Sequence, residues 1–300
     1  DKRGAQLSIG LERLRELTGT EFQRIGLSAT VGSPELIAQF LTGRRRGARM
    51  IKAYKTKEWE VKVESPTATA EDETLGKKIL ISAGSVCRIR RLCDLVNEHN
   101  STLIFTNTRE HAEALASRIH ILKPSCRIGI HHGSLSRDVR VETEKEFREG
   151  TLQGVVCTSS LELGIDVGSV DFVVQYLSPR QVAKLVQRIG RSGHAIEAKP
   201  SGGILAAWPD DILEAVVIAQ FALEERLELS KIHENALDVL AHQIVGMALD
   251  RKRIAISDAY GAVTRAWAYG TLPLEDFIAV VKQLEREGLI RLSGEVISPK

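Results

Sequence analysis

The sequence predicts an α/β fold: a parallel sheet with helices on its faces, followed by a mostly helical domain closed by a hairpin. Three observations carry this. From about residue 102, short apolar runs (TLIFT, RIGIHH, GVVCT, DFVVQY, GILAAW) alternate with helical patterns (REHAEALASRIH, SRDVRVETEKEFREG, SPRQVAKLVQRIG), which is the signature of βαβ units. After Trp208 the strand runs stop, and helical patterns follow over 211–228, 235–250, 257–268 and 273–287. The end, EREGLIRLSGEVISPK, reads as a helix stop at Gly288, a strand, a turn at Ser293-Gly294 and a second strand. Helices followed by a hairpin suggest a winged helix, with a boundary near 209–212.

Each element has local chemistry to match. Upstream, WEVKVES alternates as a strand does, and KKILISAGSVCRIRRLCDLVNEHN places Val86, Ile89, Leu92 and Val96 on one helical face. Residues 65–76, SPTATAEDETLG, read as an exposed loop. Ser136 and Ser178 are N-cap candidates, the latter with Pro179 at the first helical position, and Gly150 is a stop. Ser33-Pro34 starts a helix after the strand-like run that ends in Ser28-Ala29-Thr30.

Composition limits the function. Three hundred residues with 43% hydrophobic and 27% charged side chains bury a full core in two domains, which excludes a disordered chain. Lys+Arg 41 against Asp+Glu 39 gives +2, so an anionic partner must be met by local basic patches. Cys87, Cys93, Cys126 and Cys157 form no CxxC pair, which argues for reduced thiols rather than zinc or disulfides. No apolar run is long enough for a membrane span and DKRGAQLS has no signal-peptide character, so the chain reads as soluble and intracellular. No GxGxxG follows a strand, which excludes a dinucleotide enzyme.

The chemistry gathers after the strands. In a parallel sheet, ligands sit beyond the carboxyl ends of strands. There TSSLELGIDVGSV offers hydroxyls from Thr158 and Ser159, glycines for close approach, and Asp166 for a ribose hydroxyl. QRIGRSGH, 187–194, follows the next strand, so Arg188, Arg191 and His194 are expected at the same edge. A guanidinium there neutralises charge on a transferring phosphoryl group. Thr106 to Arg109 after TLIFT, and His131 to Ser134 after RIGIHH, add mostly neutral donors, which suit a sugar-phosphate backbone. The paired histidines lack carboxylate or cysteine partners in the spacing, so no metal site is expected.

Five segments in order, SAT at 28–30, LIFTNTR at 103–109, GIHHGSLS at 129–136, TSSLELGIDVGSV at 158–170 and QRIGRSGH at 187–194, resemble the later motifs of superfamily 2 helicases. The ending GRSGH, the start DKRGAQLSIGLERL and the segment ENALDVLAHQIVG look like the Lhr (large helicase-related) family of prokaryotic DNA helicases. The resemblance covers nearly the whole chain. It implies that residues 1–48 close a first RecA-like domain and the linker, 49–210 form a second RecA-like domain, and 211–300 form the winged helix. It implies a catalytic set of Gln187, Arg188 and Arg191, with Arg191 as the finger on the γ-phosphate; nucleotide contacts from Gly164, Asp166 and Arg191; strand contacts from Thr106, Arg109, His132, Ser134, Thr158 and Ser159; and coupling through Ser28 and Thr30. His194 departs from the superfamily pattern, where an arginine stands, and is given no role.

The resemblance further implies ATP with Mg2+, and single-stranded DNA or an RNA–DNA hybrid as partner. Movement would run from 3′ to 5′ in the cytoplasm, at the nucleoid. No GxxxxGK[ST] loop and no DExH box occur in these residues, so ATP and Mg2+ would be held mainly by the first RecA-like domain, itself the expected partner, and this chain alone would be inactive. The rival reading is a non-catalytic nucleic-acid-binding or regulatory module. The last helix, LPLEDFIAVVKQLEREG, carries Glu275, Asp276, Glu285 and Glu287 against Lys282 and Arg286, so phosphates would repel it and a packing platform is expected.

Overall fold

The computed structural model describes residues 1–28, 31–44, 46–51, 59–162, 168–192 and 199–300. Two compact units form: Tyr54–Glu228, and Asp1–Ala53 together with Leu229–Lys300.

The larger unit carries β1 (Glu60–Glu64), α3 (Ala70–Ile79), α4 (Ala83–Glu98), β2 (Thr102–Phe105), α5 (Arg109–Leu122), β3 (Ile128–His131), α6 (Arg137–Arg148), β4 (Gly154–Cys157), β5 (Phe172–Tyr176), α7 (Val182–Ile189), β6 (Ser201–Leu205) and α8 (Pro209–Leu223). Its six strands pair in parallel in the order β1-β6-β5-β2-β4-β3. Such a sheet needs cover on both faces, and the alternation of side chains supplies it. Leu103 and Phe105 point to a layer with Phe147, Leu185, Ile189, Ala215 and Ile218; Ile104 points to the other with Ile89, Leu92, Leu115 and Ile119. All are essentially buried, and each of the larger aliphatic and aromatic side chains contributes about 1.5–3 kcal/mol of transfer free energy.

The helix starts correct two expectations. Thr69 caps α3 in a reciprocal box: its hydroxyl accepts from Asp72 N–H while the Asp72 carboxylate accepts from Thr69 N–H. Residues 70–76 are therefore helical, not loop, because three acidic residues in the first turn suit the helix dipole. Ser178 is not the cap of α7. It is buried in the turn after β5, where Leu177 and Arg180 have positive φ, and α7 begins at Val182. Its first N–H groups, on Val182 and Ala183, donate to the Glu228 carboxylate instead.

The smaller unit contains α1 (Lys2–Thr18), α2 (Pro34–Thr42), α9 (Leu237–Arg251), β7 (Ile254–Ala255), α10 (Ile256–Arg265), α11 (Leu274–Arg286), β8 (Ile290–Ser293) and β9 (Val296–Pro299). The strands form an antiparallel sheet in the order β7-β9-β8, with Gly294 in the hairpin turn at φ 59°. Ala5 and Ile9 of α1 share a core with Leu240, Ile244, Val263, Tyr269, Phe277 and Ile297. Glu12 of α1, fully buried, pairs with Arg24, Arg46 and Arg265. The expected limits at 48 and 210 therefore do not coincide with the units: α8 packs on α7 and β1, and residues 1–48 join 229–300. Among the described residues no helix is long and apolar enough to cross a membrane.

Candidate functional site

Register places the strand ends side by side. His131, Cys157, Phe105 and Gln175 form one row across β3, β4, β2 and β5. The loops that follow therefore line one edge of the sheet, as ligand sites in open parallel sheets do. Burial drives the Cys157 thiol upward, so it stays protonated beneath the loop that begins at Thr158.

The expected strand-binding residues divide by exposure. Arg109, Ser134 and Ser159 are exposed, and the Arg109 guanidinium reaches the Ser134 hydroxyl across the β2 and β3 loops. Thr106, His132 and Thr158 are buried. Thr106 donates its hydroxyl proton to Thr108 O at 3.0 Å and Cys157 O at 3.3 Å. His132 donates from Nε2 to Glu113 at 2.7 Å and accepts at Nδ1 from Ser134 N–H at 3.3 Å. These two shape the loops rather than face a ligand. His131 is likewise held between Ser160 Oγ at 2.8 Å and Glu144 at 2.9 Å. Both histidines thus have carboxylate partners from other elements, and among the described residues no group of three or more His, Cys, Asp or Glu side chains is placed to hold a metal.

QRIGRSGH departs from the expected placement. A helix joining neighbouring parallel strands runs back along the sheet, so the end of α7 lies toward the start of β6, where Ser192 Oγ accepts from Ser201 N–H and donates to Ser201 O. Close packing is possible because β6 has Gly202: a Cβ there would sit 2.9 Å from Ile189 and from Val173 O. The arginines nevertheless reach the β4 loop through their side chains. Arg188 is 2% exposed; its Nε and Nη2 donate to Glu162 Oε1 at 2.8 and 2.6 Å, and its Nη1 donates to Gln175 and Asn107. Its guanidinium carbon lies 5.2 Å from the Phe105 ring centroid. Arg188 is therefore internal in this structure, where it ties together the loops that carry Glu162, Gln175 and Asn107.

Arg191 differs in one decisive respect. Half-buried, it donates from Nε and Nη2 to the Glu162 backbone carbonyl at 2.9 and 2.5 Å, a neutral acceptor. A phosphate oxygen outcompetes a neutral carbonyl for a guanidinium, since its negative charge adds ion-pair attraction and its geometry suits a bidentate contact. Gln187 is half-buried beside it on α7. Ser28 is exposed in the smaller unit, while Thr30, Gly164, Asp166 and His194 lie outside the described residues.

Residues that sequence reasoning missed hold these loops together. Glu162 binds Arg188 by its carboxylate and Arg191 by its carbonyl. Asp211, fully buried at the start of α8, accepts from Ser178 and Ala207 N–H groups and so ties the loops after β5 and β6. Partial burial opposes ionisation of Glu228, but the Val182 and Ala183 N–H groups outweigh it and hold its carboxyl below the usual range. An acid within an otherwise small or apolar loop is the one sequence signal for Glu162.

Residues 87–195 match the helicase conserved C-terminal domain. The chain is 41% identical over 296 residues to ATP-dependent helicase Lhr-Core protein 2 of Thermococcus barophilus, covering 96% of the chain and 33% of that protein. It is 39% identical over 298 residues to ATP-dependent helicase Lhr-Core of Methanothermobacter thermautotrophicus, with the same coverage. It superposes on the helicase Lhr of Mycobacterium smegmatis, solved with single-stranded DNA and AMP-PNP, at TM-score 0.87 and 32% identity, covering 100% of the chain and 40% of that one. The chain thus spans about a third of the length of the curated relatives it matches.

Proposed function

Because the chain belongs to the Lhr family of superfamily 2 helicases, we propose that it supplies the second RecA-like lobe of an ATP-dependent motor that moves along single-stranded DNA. The observation that carries this reading is the unequal holding of two arginines. Arg188 is bound to a carboxylate and buried, whereas Arg191 rests on a carbonyl and is free to exchange it for phosphate. Arg191 is then the finger that offsets charge on the transferring γ-phosphoryl group. ATP with Mg2+ supplies that phosphoryl group when bound, held mainly by the first lobe. Gly164, Asp166 and Gln187 complete the contacts from this side.

In the same reading, Arg109, Ser134 and Ser159 contact the strand's phosphates, with Thr106, His132 and Thr158 shaping the loops beneath them. Residues 1–48 close the first lobe, with Ser28 and Thr30 coupling hydrolysis to movement. The reading draws support from the stretch before them: Ile25 and Leu27 are 73% and 96% exposed and unpaired among the described residues, as a strand awaiting a sheet would be. Residues 229–300 are a winged helix that serves as a packing platform. Movement from 3′ to 5′ and unwinding of duplexes or RNA–DNA hybrids follow from the family.

In the natural full-length protein, Arg191→Ala is expected to lower DNA-stimulated ATP hydrolysis by about 10³–10⁵-fold with strand binding retained; undiminished turnover would sink the finger assignment. Arg109→Ala in this chain is expected to weaken single-strand binding and flatten its salt dependence by about 0.7 in log–log slope. The 300-residue chain alone is expected to show no DNA-stimulated ATP hydrolysis. A non-catalytic module would instead bind the strand with no response to nucleotide in the full-length protein.

A further inference from the structure

The β7-β9-β8 sheet has one face in the core and one toward solvent. Ile254, Ile297 and Leu292 pair across the three strands and point inward. Successive residues alternate faces, so the next row points outward. Arg291 pairs with Ser298, and continuing the β7 register by one residue sets Arg253 on the other side of Ser298. Both arginines are exposed. The second outward row, Ala255, Val296 and Ser293, carries no charge.

Neighbouring charges sharpen the contrast. Arg251 is already engaged by Glu16, whereas Arg253 and Arg291 have no carboxylate partner among the described residues. Lys252, exposed beside Arg253, adds a third cation. Glu285 lies at the β8 edge, where it accepts from Leu292 N–H, and Glu295 lies in the hairpin turn; neither belongs to the outward rows. The exposed side of α11 and its C-cap, by contrast, carry Glu275, Asp276, Glu285 and Glu287 against Lys282 and Arg286, a net negative surface.

We propose that this outward sheet face docks the phosphate backbone of a nucleic-acid duplex. Three features select that partner. The face is cationic while α11 is anionic, so a polyanion meets the sheet and not the helix. Arg291 stands on β8 and Arg253 directly precedes β7 on the other side of Ser298, so their backbones lie about two interstrand spacings apart, roughly 9–10 Å, close enough for both side chains to engage one run of duplex phosphates. No aromatic side chain lies in either outward row, so the base stacking that holds single strands has no platform here. Arginine is also the residue best fitted to bidentate phosphate contacts. The face is built from residues of the smaller unit alone, and the inference does not depend on the function proposed for the larger one.

The test uses the 300-residue chain and fluorescence anisotropy with a short blunt DNA duplex and, separately, an oligothymidylate single strand. Arg253→Glu with Arg291→Glu is expected to weaken duplex binding by about tenfold or more and to lower the salt slope by about 1.8, at 0.9 per lost contact. Single-strand binding should stay unchanged. The Arg253→Lys/Arg291→Lys variant should keep duplex binding within a few-fold, and an unchanged melting temperature of the Glu variant shows that the fold survives. Unaltered duplex binding in the Glu variant overturns the proposal. Equal loss on duplex and single strand also overturns it, because one shared site would then serve both. Loss of single-strand binding in Arg109→Ala reports only on the larger unit, so the two readings fail separately.

Discussion

Glu162→Ala strips the Arg188 guanidinium of its counter-ion while leaving it 2% exposed. Removing one partner of a buried ion pair costs about 3–5 kcal/mol, because the remaining charge stays desolvated. The Gln175 and Asn107 oxygens remain as acceptors, which sets the expectation at the lower end, about 3 kcal/mol. For a unit of this size each kcal/mol lowers the transition by roughly 2–4 °C, so calorimetry should find the larger unit melting about 6–12 °C earlier. Arg188→Met combined with Glu162→Leu should recover most of that loss, since apolar replacement of a buried pair is often neutral or better. A single variant that melts within about 2 °C of the parent, less than 1 kcal/mol, would refute the claim that Arg188 is an internal strut, and would return it to the candidates for phosphate contact.

Two further outcomes follow from the caps and the charge network. Thr69→Ala should destabilise the larger unit by about 1 kcal/mol in urea titration, with Thr69→Ser restoring it; no change would mean that the Thr69–Asp72 box does not hold α3. Burial opposes ionisation of Glu12, but Arg46 and Arg24 outweigh it and set its folded pKa below the ordinary 4.5. Its contribution is then complete above about pH 4.5 and lost as pH falls through the lower folded value. Denaturation of the smaller unit between pH 3 and 7 should show that loss, and Glu12→Gln should flatten it; an equal slope in the variant would assign the effect to other carboxylates.

The sheet was legible because both its faces are covered. TLIF, GVVC and FVVQY are runs that make sense only as buried parallel strands, and they became β2, β4 and β5. Turn chemistry was legible at Gly288 and Gly294, both at positive φ. α3 was hidden because a Pro/Ser/Thr/acidic composition suggests loop, although Thr69 and Asp72 already had the spacing of a capping box. α8 was misassigned because sequence order cannot tell which sheet a helix covers. Within the candidate site, residue types were legible but their exposure was not. Thr106 and His132 look like free donors until the carbonyl of Cys157 and the carboxylate of Glu113 arrive from other elements. Arg188 and Arg191 are chemically identical in the sequence; only the choice between a carboxylate and a carbonyl of the same Glu162 separates them.

The smaller unit is assembled from residues 1–53 and 229–300, which flank the larger one in sequence. During synthesis at about 5–20 residues per second, the sheet of the larger unit is complete while Ala5 and Ile9 still lack Leu240, Ile244 and Phe277. For some 10–45 s, on that rate, the nascent α1 therefore presents apolar surface that only a late-emerging segment can cover. Contacts of such sequence separation form slowly, because loop closure precedes any gain from packing. Any truncation that removes α9 and α10 leaves α1 without its packing partners, and aggregation should then begin at α1 although the deletion lies far away in sequence.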